Sequence, residues 1–403
     1  MTRLAEAVVA LPQSGIRRFF DVVAQMDDVI SLGVGEPDFG TAWRVREAAI
    51  YGLERGRTTY TANSGLLELR QAIAAALGRR FGLDYDPADE VLVTVGVSEG
   101  LDLALRALLD PGDEVIVPQP CYVAYEPCVA LAGGVPVPLA TRAADGFVPR
   151  AADVEALVTP RTRALLLNYP NNPTGAAPAR ADLLALAEVA RRHDLVVISD
   201  EIYDRLAYDA AHVAFATLPS MLGRTLLLNG FSKTYGMTGW RVGYAAGPAD
   251  LIGAMTKIHQ YTALCAGRSA QEAAIEALRV PDRDVEAMVD EYDTRRRTIV
   301  AGLNRLGLPC HLPAGAFYAF PSVAPTGLSA SEFAERLLHE ARVAAVPGDA
   351  FGAGGAGHVR CAYATSLPQI EEALSRIDRF LATLSGPAAE RPSVAAGGTA
   401  TPG

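Results

Sequence analysis

The sequence predicts an α/β protein, in which short buried strands alternate with helices around a large core. Two observations lead to this prediction. Apolar runs of strand length, such as Val91–Val95 and Leu195–Ser199, are separated by stretches with apolar residues at helical spacing. The chain has 403 residues, half of them apolar, and this length favours two domains or one large and one small domain.

Charge and cysteine content narrow the class of protein. The formal charge is −10 at pH 7, whereas nucleic-acid and anionic-membrane partners require a concentrated basic face. The basic run Arg295–Arg297 is interpreted as a solvated helix face. Five cysteines without paired spacing indicate neither a disulfide framework nor a zinc site. With no signal-peptide pattern and no run of ~20 apolar residues, a cytoplasmic protein is expected.

The N-terminal part reads as a helix over residues 4–26, a strand over Val29–Leu32, and helices over residues 45–55 and 66–80. Between the first strand and the second helix lies the sequence G-V-G-E-P-D, from Gly33 to Asp38. Two glycines and a proline predict a fixed loop whose backbone can approach a ligand closely. A plain tight turn explains the same residues equally well.

A strand, a tight turn and a helix start follow one another around residue 96. The strand Val91–Val95 runs into Gly96, Val97 and Ser98, and a helix is predicted over Glu99–Leu109. Free amides at a helix start attract an anion such as phosphate, and the Ser98 hydroxyl adds a donor. Small residues that serve packing alone are the alternative.

Two further segments offer polar or aromatic side chains. Pro120–Tyr125 contains Tyr122, whose ring could stack on a planar ligand or fill the core. Asn168–Gly175 holds two prolines and a glycine, so Asn172 is expected at a rigid bend.

The strand Leu195–Ser199 ends in Asp200, and Tyr203 follows three residues later. A carboxylate at the tip of a buried strand needs a cationic partner to stay ionised, and a pyridinium nitrogen would serve. Capping of a helix by Asp200 is the alternative.

A buried strand at Thr225–Leu228 leads to Ser232 and Lys233, with Arg241 close behind in N-G-F-S-K-T-Y-G-M-T-G-W-R-V-G. Ligands bind at the carboxyl ends of strands in open α/β sheets. A lysine desolvated there beside a second cation has a lowered pKa and can form a Schiff base with an aldehyde. Arg241 and Ser232 could bind a phosphate. A surface Ser-Lys pair is the alternative.

Beyond residue 248 the chain is predicted to be largely helical to about Leu306, with one long helix bridging two domains. Pro313–Pro321 opens a smaller αβ region, in which Val359–Tyr363 is a short strand that contains Arg360. An arginine in such a strand is often an edge residue. After residue 386 an Ala/Gly/Pro-rich tail is expected to be disordered.

These motifs, from about Ser14 to Leu381, resemble in kind and order those of the class I/II aminotransferases, which are pyridoxal-phosphate enzymes of fold type I. The resemblance implies a large domain with a mostly parallel seven-stranded sheet between helices, and a smaller α/β domain. The expected parts are an N-terminal arm (residues 1–44), a large cofactor domain (45–285), a small domain (286–385) and a tail (386–403).

The resemblance also implies roles around pyridoxal 5′-phosphate. Lys233 would carry the cofactor and move a proton from the substrate α-carbon as general acid–base. The cofactor phosphate would be held by Ser232, Arg241 and the turn of Val97 and Ser98.

The cofactor ring would be held by a second group of residues. Tyr122 would stack on the ring, and Asp200 would keep the pyridine nitrogen protonated. Asn172 and Tyr203 would contact the phenolic oxygen.

The substrate α-carboxylate would meet Arg360 as a bidentate clamp, together with Asn172 and the backbone of Gly35. Tyr60 would reach across a dimer interface to the partner's cofactor phosphate. The resemblance thus implies a homodimer with shared active sites.

The implied reaction is transamination between an L-amino acid and a 2-oxo acid, with 2-oxoglutarate expected as acceptor. Some aspartate-selective relatives carry a lysine where this chain has Ser98, so a broad or aromatic donor range is favoured over a dedicated aspartate enzyme. A β-lyase on the same fold would keep every cofactor residue. An effector-sensing module of a transcription regulator would need a DNA-binding domain, for which only some thirty residues precede the first motif.

Overall fold

The structure, a computed structural model, describes residues 2–11 and 26–384. Most of the helix predicted over residues 4–26, and the tail predicted to be disordered, lie outside these residues. In the described part of the chain, no helix combines the length and the apolar character needed to cross a membrane. The described α-helices are α1 (Glu6–Val9), α2 (Trp43–Glu54), α3 (Leu67–Phe81), α4 (Gly96–Leu108), α5 (Tyr125–Leu131), α6 (Ala151–Leu157), α7 (Arg180–Arg192), α8 (Ala249–Thr262), α9 (Arg268–Ala277), α10 (Asp282–Arg305), α11 (Ala330–Ala341) and α12 (Leu367–Leu384).

Seven strands form one sheet in the order β2-β8-β7-β6-β5-β3-β4. β8 pairs antiparallel with both of its neighbours, and all other neighbours in this sheet pair parallel. The predicted α/β class with a mostly parallel seven-stranded sheet is therefore confirmed. The strands of this sheet are β2 (Val91–Thr94), β3 (Glu114–Gln119), β4 (Val135–Ala140), β5 (Thr162–Asn168), β6 (Val196–Asp200), β7 (Thr225–Gly230) and β8 (Gly243–Ala246).

The sheet is buried on both faces, as its continuous apolar runs require. In β3, Val115 and Val117 pack into one core cluster with residues of α4 and α8. Ile116, which points the other way because side chains alternate along a strand, packs into a second cluster with residues of α7. Helices therefore cover both faces.

The carboxyl ends of the central strands meet at one edge of the sheet. Asn168 at the end of β5 lies in register with Asp200 at the end of β6, and Asp200 is in register with Leu228 of β7. Side chains that follow these strands are thereby brought together at the edge where α/β sheets bind ligands.

The remaining strands form a second, smaller region with α10, α11 and α12. β1 (Ile30–Ser31) pairs parallel with β10 (Val343–Ala344), so both ends of the described chain contribute to it. β9 (Tyr318–Ala319), β11 (Val346–Pro347) and β12 (Val359–Ala362) form an antiparallel sheet in the order β11-β12-β9. The division of the chain at residues 44, 285 and 385 stays a prediction.

Two features differ from the sequence-based expectation. No strand was predicted over β4, because Pro136 and Pro138 interrupt it. β4 lies at the edge of the sheet, where proline is tolerated because half of the backbone N–H groups need no partner. The helical stretch after residue 248 is broken into α8, α9 and α10, with Gly267 and Pro281 at the starts of the last two.

The prediction that Arg295–Arg297 form a solvated helix face is wrong for two of the three residues. Arg295 is 5% exposed and Arg296 is 0% exposed. Each is paired with carboxylates and lies over an aromatic ring, which is what a buried charge requires. Only Arg297 keeps an exposed side chain.

Candidate active site

One cavity of about 570 Å³ lies at the carboxyl edge of the large sheet, against β9 and β12 of the smaller region. It contains every site residue predicted from the sequence except Tyr60. The predicted residues that line it are Gly35, Val97, Ser98, Tyr122, Asn172, Asp200, Tyr203, Ser232, Lys233, Arg241 and Arg360.

Lys233 follows the end of β7 by three residues and reaches into this cavity. Its Nζ donates a hydrogen bond to the carbonyl oxygen of Gly35 at 2.7 Å. Burial lowers the pKa of Lys233, Glu36 opposes this effect and the cations Arg360 and Arg241 add to it, so that the resulting pKa is about 8. A substantial fraction of the amine is therefore neutral, and so nucleophilic and basic, near physiological pH.

Asp200, the last residue of β6, lies at the bottom of the cavity and is 5% exposed. Burial raises the pKa of Asp200 to about 6, although hydrogen bonds from Tyr125 and from the Ile202 amide oppose the rise. The Tyr125 hydroxyl donates to Oδ2 at 2.7 Å and the Ile202 amide donates to Oδ1 at 3.2 Å. The segment directly after β6 is a turn and not a helix. Asp200 therefore caps this turn through the Ile202 amide, and it also lines the cavity.

Aromatic side chains form much of the remaining wall. The Tyr203 hydroxyl lies 2.7 Å from the Tyr318 hydroxyl, and both rings are buried. Tyr122 packs edge-on against Tyr125, with ring centroids 5.6 Å apart. Tyr122 is 37% exposed, so one face of its ring is free to stack on a planar ligand.

The start of α4 provides a site for an oxyanion. No side chain caps this helix, so the amides of its first turn, including Val97 and Ser98, have no intrahelical acceptor. Gly96 has φ +73°, and a Cβ there would lie 2.5 Å from Nη2 of Arg241. Glycine therefore lets the guanidinium lie directly against the helix start. Within the described residues, the Ser98 and Ser232 hydroxyls at this end of the cavity make no hydrogen bond.

Arg360, in β12, presents a second guanidinium to the cavity. Nη1 donates to Asn172 Oδ1 at 2.9 Å and Nη2 donates to the Gly33 carbonyl oxygen at 2.6 Å. Nε is buried and has no hydrogen-bond acceptor. Arg360 is 5% exposed, and no carboxylate of the described residues lies within 4.0 Å of it. A buried cation without a counter-charge is a site for an anionic ligand.

Gly35 brings the backbone close to these groups. A Cβ at this position would lie 2.6 Å from the Tyr318 hydroxyl, so a side chain would displace that phenol. Of the two interpretations of Gly33–Asp38, the structure therefore supports a close backbone approach to the cavity.

Tyr60 is the exception among the predicted residues. It is 80% exposed and does not line the cavity of its own chain. Tyr60 therefore has no part in the cavity of its own chain as described.

Nine lining residues were not predicted, and five of these have polar side chains: Glu36, Tyr125, Asn168, Thr238 and Tyr318. Asn168 donates to the Asp200 carbonyl oxygen and accepts from the Asn172 amide, which joins two strand ends. Pro120–Tyr125 contains two tyrosines, and its sequence does not show that Tyr125 is the one that reaches Asp200. The sequence does not identify Tyr318 as a residue of the site, because its place there depends on how β9 packs against the large sheet.

Comparisons with known proteins agree with this geometry. The family model for aminotransferase class I and II matches residues 27–377. The chain is 53% identical over 378 residues to the putative aminotransferase YugH of Bacillus subtilis, covering 94% of this chain and 98% of that protein. It is 45% identical to an aspartate aminotransferase of Pyrococcus abyssi, covering 91% and 95%. Among solved structures, the aromatic aminotransferase of Pyrococcus horikoshii superposes with a TM-score of 0.87 at 45% identity, covering 91% and 99%.

Proposed function

The chain belongs to the class I and II aminotransferases, and on that premise we propose that it transfers the amino group of an L-amino acid to a 2-oxo acid, with 2-oxoglutarate as acceptor and pyridoxal 5′-phosphate as cofactor. The observation that carries the proposal is Arg360, a buried guanidinium without a carboxylate partner in the described chain. It shares one cavity with a lysine whose pKa is lowered to about 8. A cation that can bind a carboxylate, in one cavity with a lysine that can lose its proton near neutral pH, suits an amino-acid substrate.

The residues present fit the cofactor. Its phosphate would bind at the uncapped start of α4, with Arg241 and the free Ser98 and Ser232 hydroxyls as further donors. Glycine at position 96 leaves room for the guanidinium. These donors are the ones that a phosphate dianion requires.

The ring of the cofactor would lie between Tyr122 and the residues at the strand ends. Asp200 would face the pyridine nitrogen, because its buried carboxylate forms no ion pair with a cation of the described residues and Lys233 acts on it only as a weaker charge effect. Asn172 and Tyr203 would contact the phenolic oxygen. When bound, pyridoxal phosphate supplies an aldehyde that captures the substrate amine and a ring that accepts electrons from the α-carbon.

Lys233 would act as the proton-transfer group. Its neutral Nζ takes the proton from the substrate α-carbon, and the lowered pKa keeps a neutral fraction available near pH 7. Arg360, Asn172 and the Gly35 backbone would hold the α-carboxylate and so orient the α-carbon toward Nζ. Burial of Arg360 and Asn172 excludes water from this part of the site.

We infer a broad or aromatic donor range. The cations that line the cavity in the described chain are Lys233, Arg241 and Arg360, and each already has a proposed role. No further cation of these residues is available there for a side-chain carboxylate, and position 98 is serine. Apolar lining by Val34, among others, favours uncharged side chains. Relatives named for aspartate and for aromatic amino acids are consistent with a broad range.

We further propose a homodimer in which Tyr60 reaches the partner's cofactor phosphate. This proposal is supported by the 80% exposure of Tyr60 and by its absence from the cavity of its own chain. A cytoplasmic location remains our expectation, consistent with five free cysteines.

The test is the absorbance spectrum of the purified protein with pyridoxal phosphate, before and after separate additions of L-phenylalanine, L-aspartate and L-alanine. We expect a visible band from the lysine-bound cofactor that amino acids convert to the near-ultraviolet band of the aminated cofactor. Absence of the visible band would refute the role of Lys233. A persistent band with release of pyruvate and ammonia from a cysteine conjugate would establish a β-lyase instead.

Donor range is tested by the same conversion. An aromatic assignment requires kcat/KM for L-phenylalanine or L-tyrosine to exceed that for L-aspartate by at least about tenfold. A smaller ratio would leave only the broad range.

A further inference from the structure

The segment from Gly33 to Thr41, called here the bridging loop, contacts two of the three cations of the cavity, Arg360 and Lys233. Its Gly33 carbonyl accepts a hydrogen bond from Arg360, and its Gly35 carbonyl accepts one from Lys233. Glu36 also lines the cavity. A shift of this loop therefore moves the polar groups against which the substrate carboxylate and the amine are placed.

The backbone of the bridging loop does not hold itself in place. Between Gly33 and Thr41, all of which the structure describes, no backbone group is hydrogen-bonded to another backbone group. The loop is instead attached through side chains. At its far end the Thr41 hydroxyl donates to the Gly236 carbonyl and accepts from the Trp240 indole.

The middle of the loop is attached to α10 by Asp38. Nη1 of Arg295 donates to both carboxylate oxygens of Asp38 at 2.8 Å, and the Tyr292 hydroxyl donates to Oδ1 at 3.3 Å. The Arg295 guanidinium also lies 5.1 Å from the Phe39 ring centroid. Its Nε is held by Glu291 at 2.9 Å.

The arginine of this ion pair is sheltered from solvent, whereas the Asp38 side chain is 29% exposed. Arg295 is 5% exposed, and burial alone would lower the pKa of its guanidinium, but hydrogen bonds to Asp38 and Glu291 raise the pKa above its ordinary value. Asp38 and Arg295 form the one ion pair that attaches the bridging loop in the described chain. Loss of Asp38 would remove this attachment of the loop and leave the buried Arg295 with Glu291 as its remaining carboxylate partner.

We propose that Arg295, which does not line the cavity, is a positioning residue for the substrate α-carboxylate site. Through Asp38 it holds the bridging loop in the position at which the Gly33 carbonyl accepts from Arg360 and the Gly35 carbonyl accepts from Lys233. The inference rests on the proposed function, since it concerns the carboxylate site of that reaction. Arg295 acts on binding of the substrate carboxylate and not on retention of the cofactor, whose proposed phosphate contacts lie on α4 and beyond β7.

The two following arginines are matched controls on the same helix. Arg296 is equally buried, but it binds Asp209 and the Pro313 carbonyl and stacks over Tyr208 at 4.4 Å. It does not contact the bridging loop. Arg297 is exposed and pairs with Asp293 and Asp209.

The test uses the holoenzyme and 3-phenylpropanoate, a carboxylate that lacks the amino group and therefore binds without reacting. Arg295→Lys and Asp38→Asn are each expected to weaken its binding about tenfold. The affinity for pyridoxal phosphate should change less than about twofold in both. KM for L-phenylalanine should rise with little change in kcat, because binding is impaired rather than proton transfer.

The controls separate this role from simple destabilisation. Arg296→Lys should lower the thermal midpoint and leave 3-phenylpropanoate binding unchanged, and Arg297→Lys should change neither. The proposal is overturned if Arg295→Lys binds the probe as tightly as the parent, or if all three lysine variants weaken binding equally. If the parent protein takes up no pyridoxal phosphate, the proposed function itself fails. The failure of the Arg295 proposal alone is distinct, because the parent protein then still binds the cofactor.

Discussion

Replacement of Arg360 by lysine tests the proposed carboxylate clamp most directly. The guanidinium is fixed by Asn172 at 2.9 Å and by the Gly33 carbonyl at 2.6 Å, and its Nε has no acceptor. A planar fork can make two parallel bonds to a carboxylate, whereas an ammonium offers a single point charge. Loss of one charge-assisted hydrogen bond costs about 1.5–3 kcal/mol. This corresponds to weakening of carboxylate binding by about 10- to 150-fold.

The assay is titration of the holoenzyme with 3-phenylpropanoate, followed through the visible band, together with the cofactor dissociation constant. Arg360→Lys should raise the Kd of the carboxylate by that factor and leave cofactor affinity within about threefold, because its proposed contacts are to substrate. Arg336→Lys is a matched control, since Arg336 is an arginine of the smaller region that pairs with Glu340 on the surface of α11. A Kd within threefold of the parent value for Arg360→Lys would show that the clamp lies elsewhere.

Four further outcomes follow from the buried groups of the site. Lys233→Ala should abolish both the visible band and amino-group transfer, as single-turnover spectroscopy would show; residual transfer above about 1% of the parent rate would contradict its role as base. Burial depresses the pKa of Lys233 from 10.5 to about 8. Between these two pH values the folded cofactor-free protein binds fewer protons than the unfolded chain, so the urea concentration at the midpoint of unfolding should rise from pH 8 to pH 10.5. Lys233→Met should reduce the rise of the urea midpoint with pH, and an unchanged pH dependence would assign the rise to another titrating group. Asp200→Asn removes a buried carboxylate whose pKa is raised to about 6, so at pH 8 the cofactor-free variant should be more stable than the parent by about 2–3 kcal/mol. The variant should nevertheless retain pyridoxal phosphate less well during dialysis. Equal or tighter retention would argue against a pairing of Asp200 with the pyridine nitrogen. Tyr125→Phe deletes a donor that lowers the pKa of Asp200, so the acidic limb of the pH–rate profile should move to higher pH, and an unshifted limb would show that Asp200 does not set it.

Much of the fold could be predicted because local patterns agree with it. The helix predicted over residues 66–80 is α3 (Leu67–Phe81), since its apolar spacing is regular. The continuous apolar runs of β6 and β7 identified strands that are buried on both faces. β4 was missed because an edge strand tolerates prolines that would disrupt a central strand. The mostly parallel seven-stranded sheet was implied by the family resemblance and not by local pattern, and the order of its strands is known only from the structure.

The chemistry of the site was also largely predictable, since its residues follow strand ends that parallel pairing brings to one edge. Asp200 and Lys233 are 33 positions apart in the chain, and the register of β6 with β7 places them in one cavity. Tyr125 could not be predicted with the same means. Its sequence neighbour Tyr122 is an equal candidate, and only the rotation of α5 decides which hydroxyl reaches Asp200.

The sequence by itself determined much of the succession of strands and helices, the residues at the strand ends and the lysine that follows β7, because these depend on periodicity and on residue type within short stretches of chain. Only the tertiary structure decided whether a charged side chain is exposed or buried when its ion-pair partner is distant in sequence. Arg295 and Arg296 follow the pattern of a solvated helix face, yet Asp38 and Asp209 meet them across the fold and make their burial possible. Whether an arginine is solvated, buried in an ion pair or left open for a ligand, as Arg360 is, depends on which carboxylates the packing brings within reach.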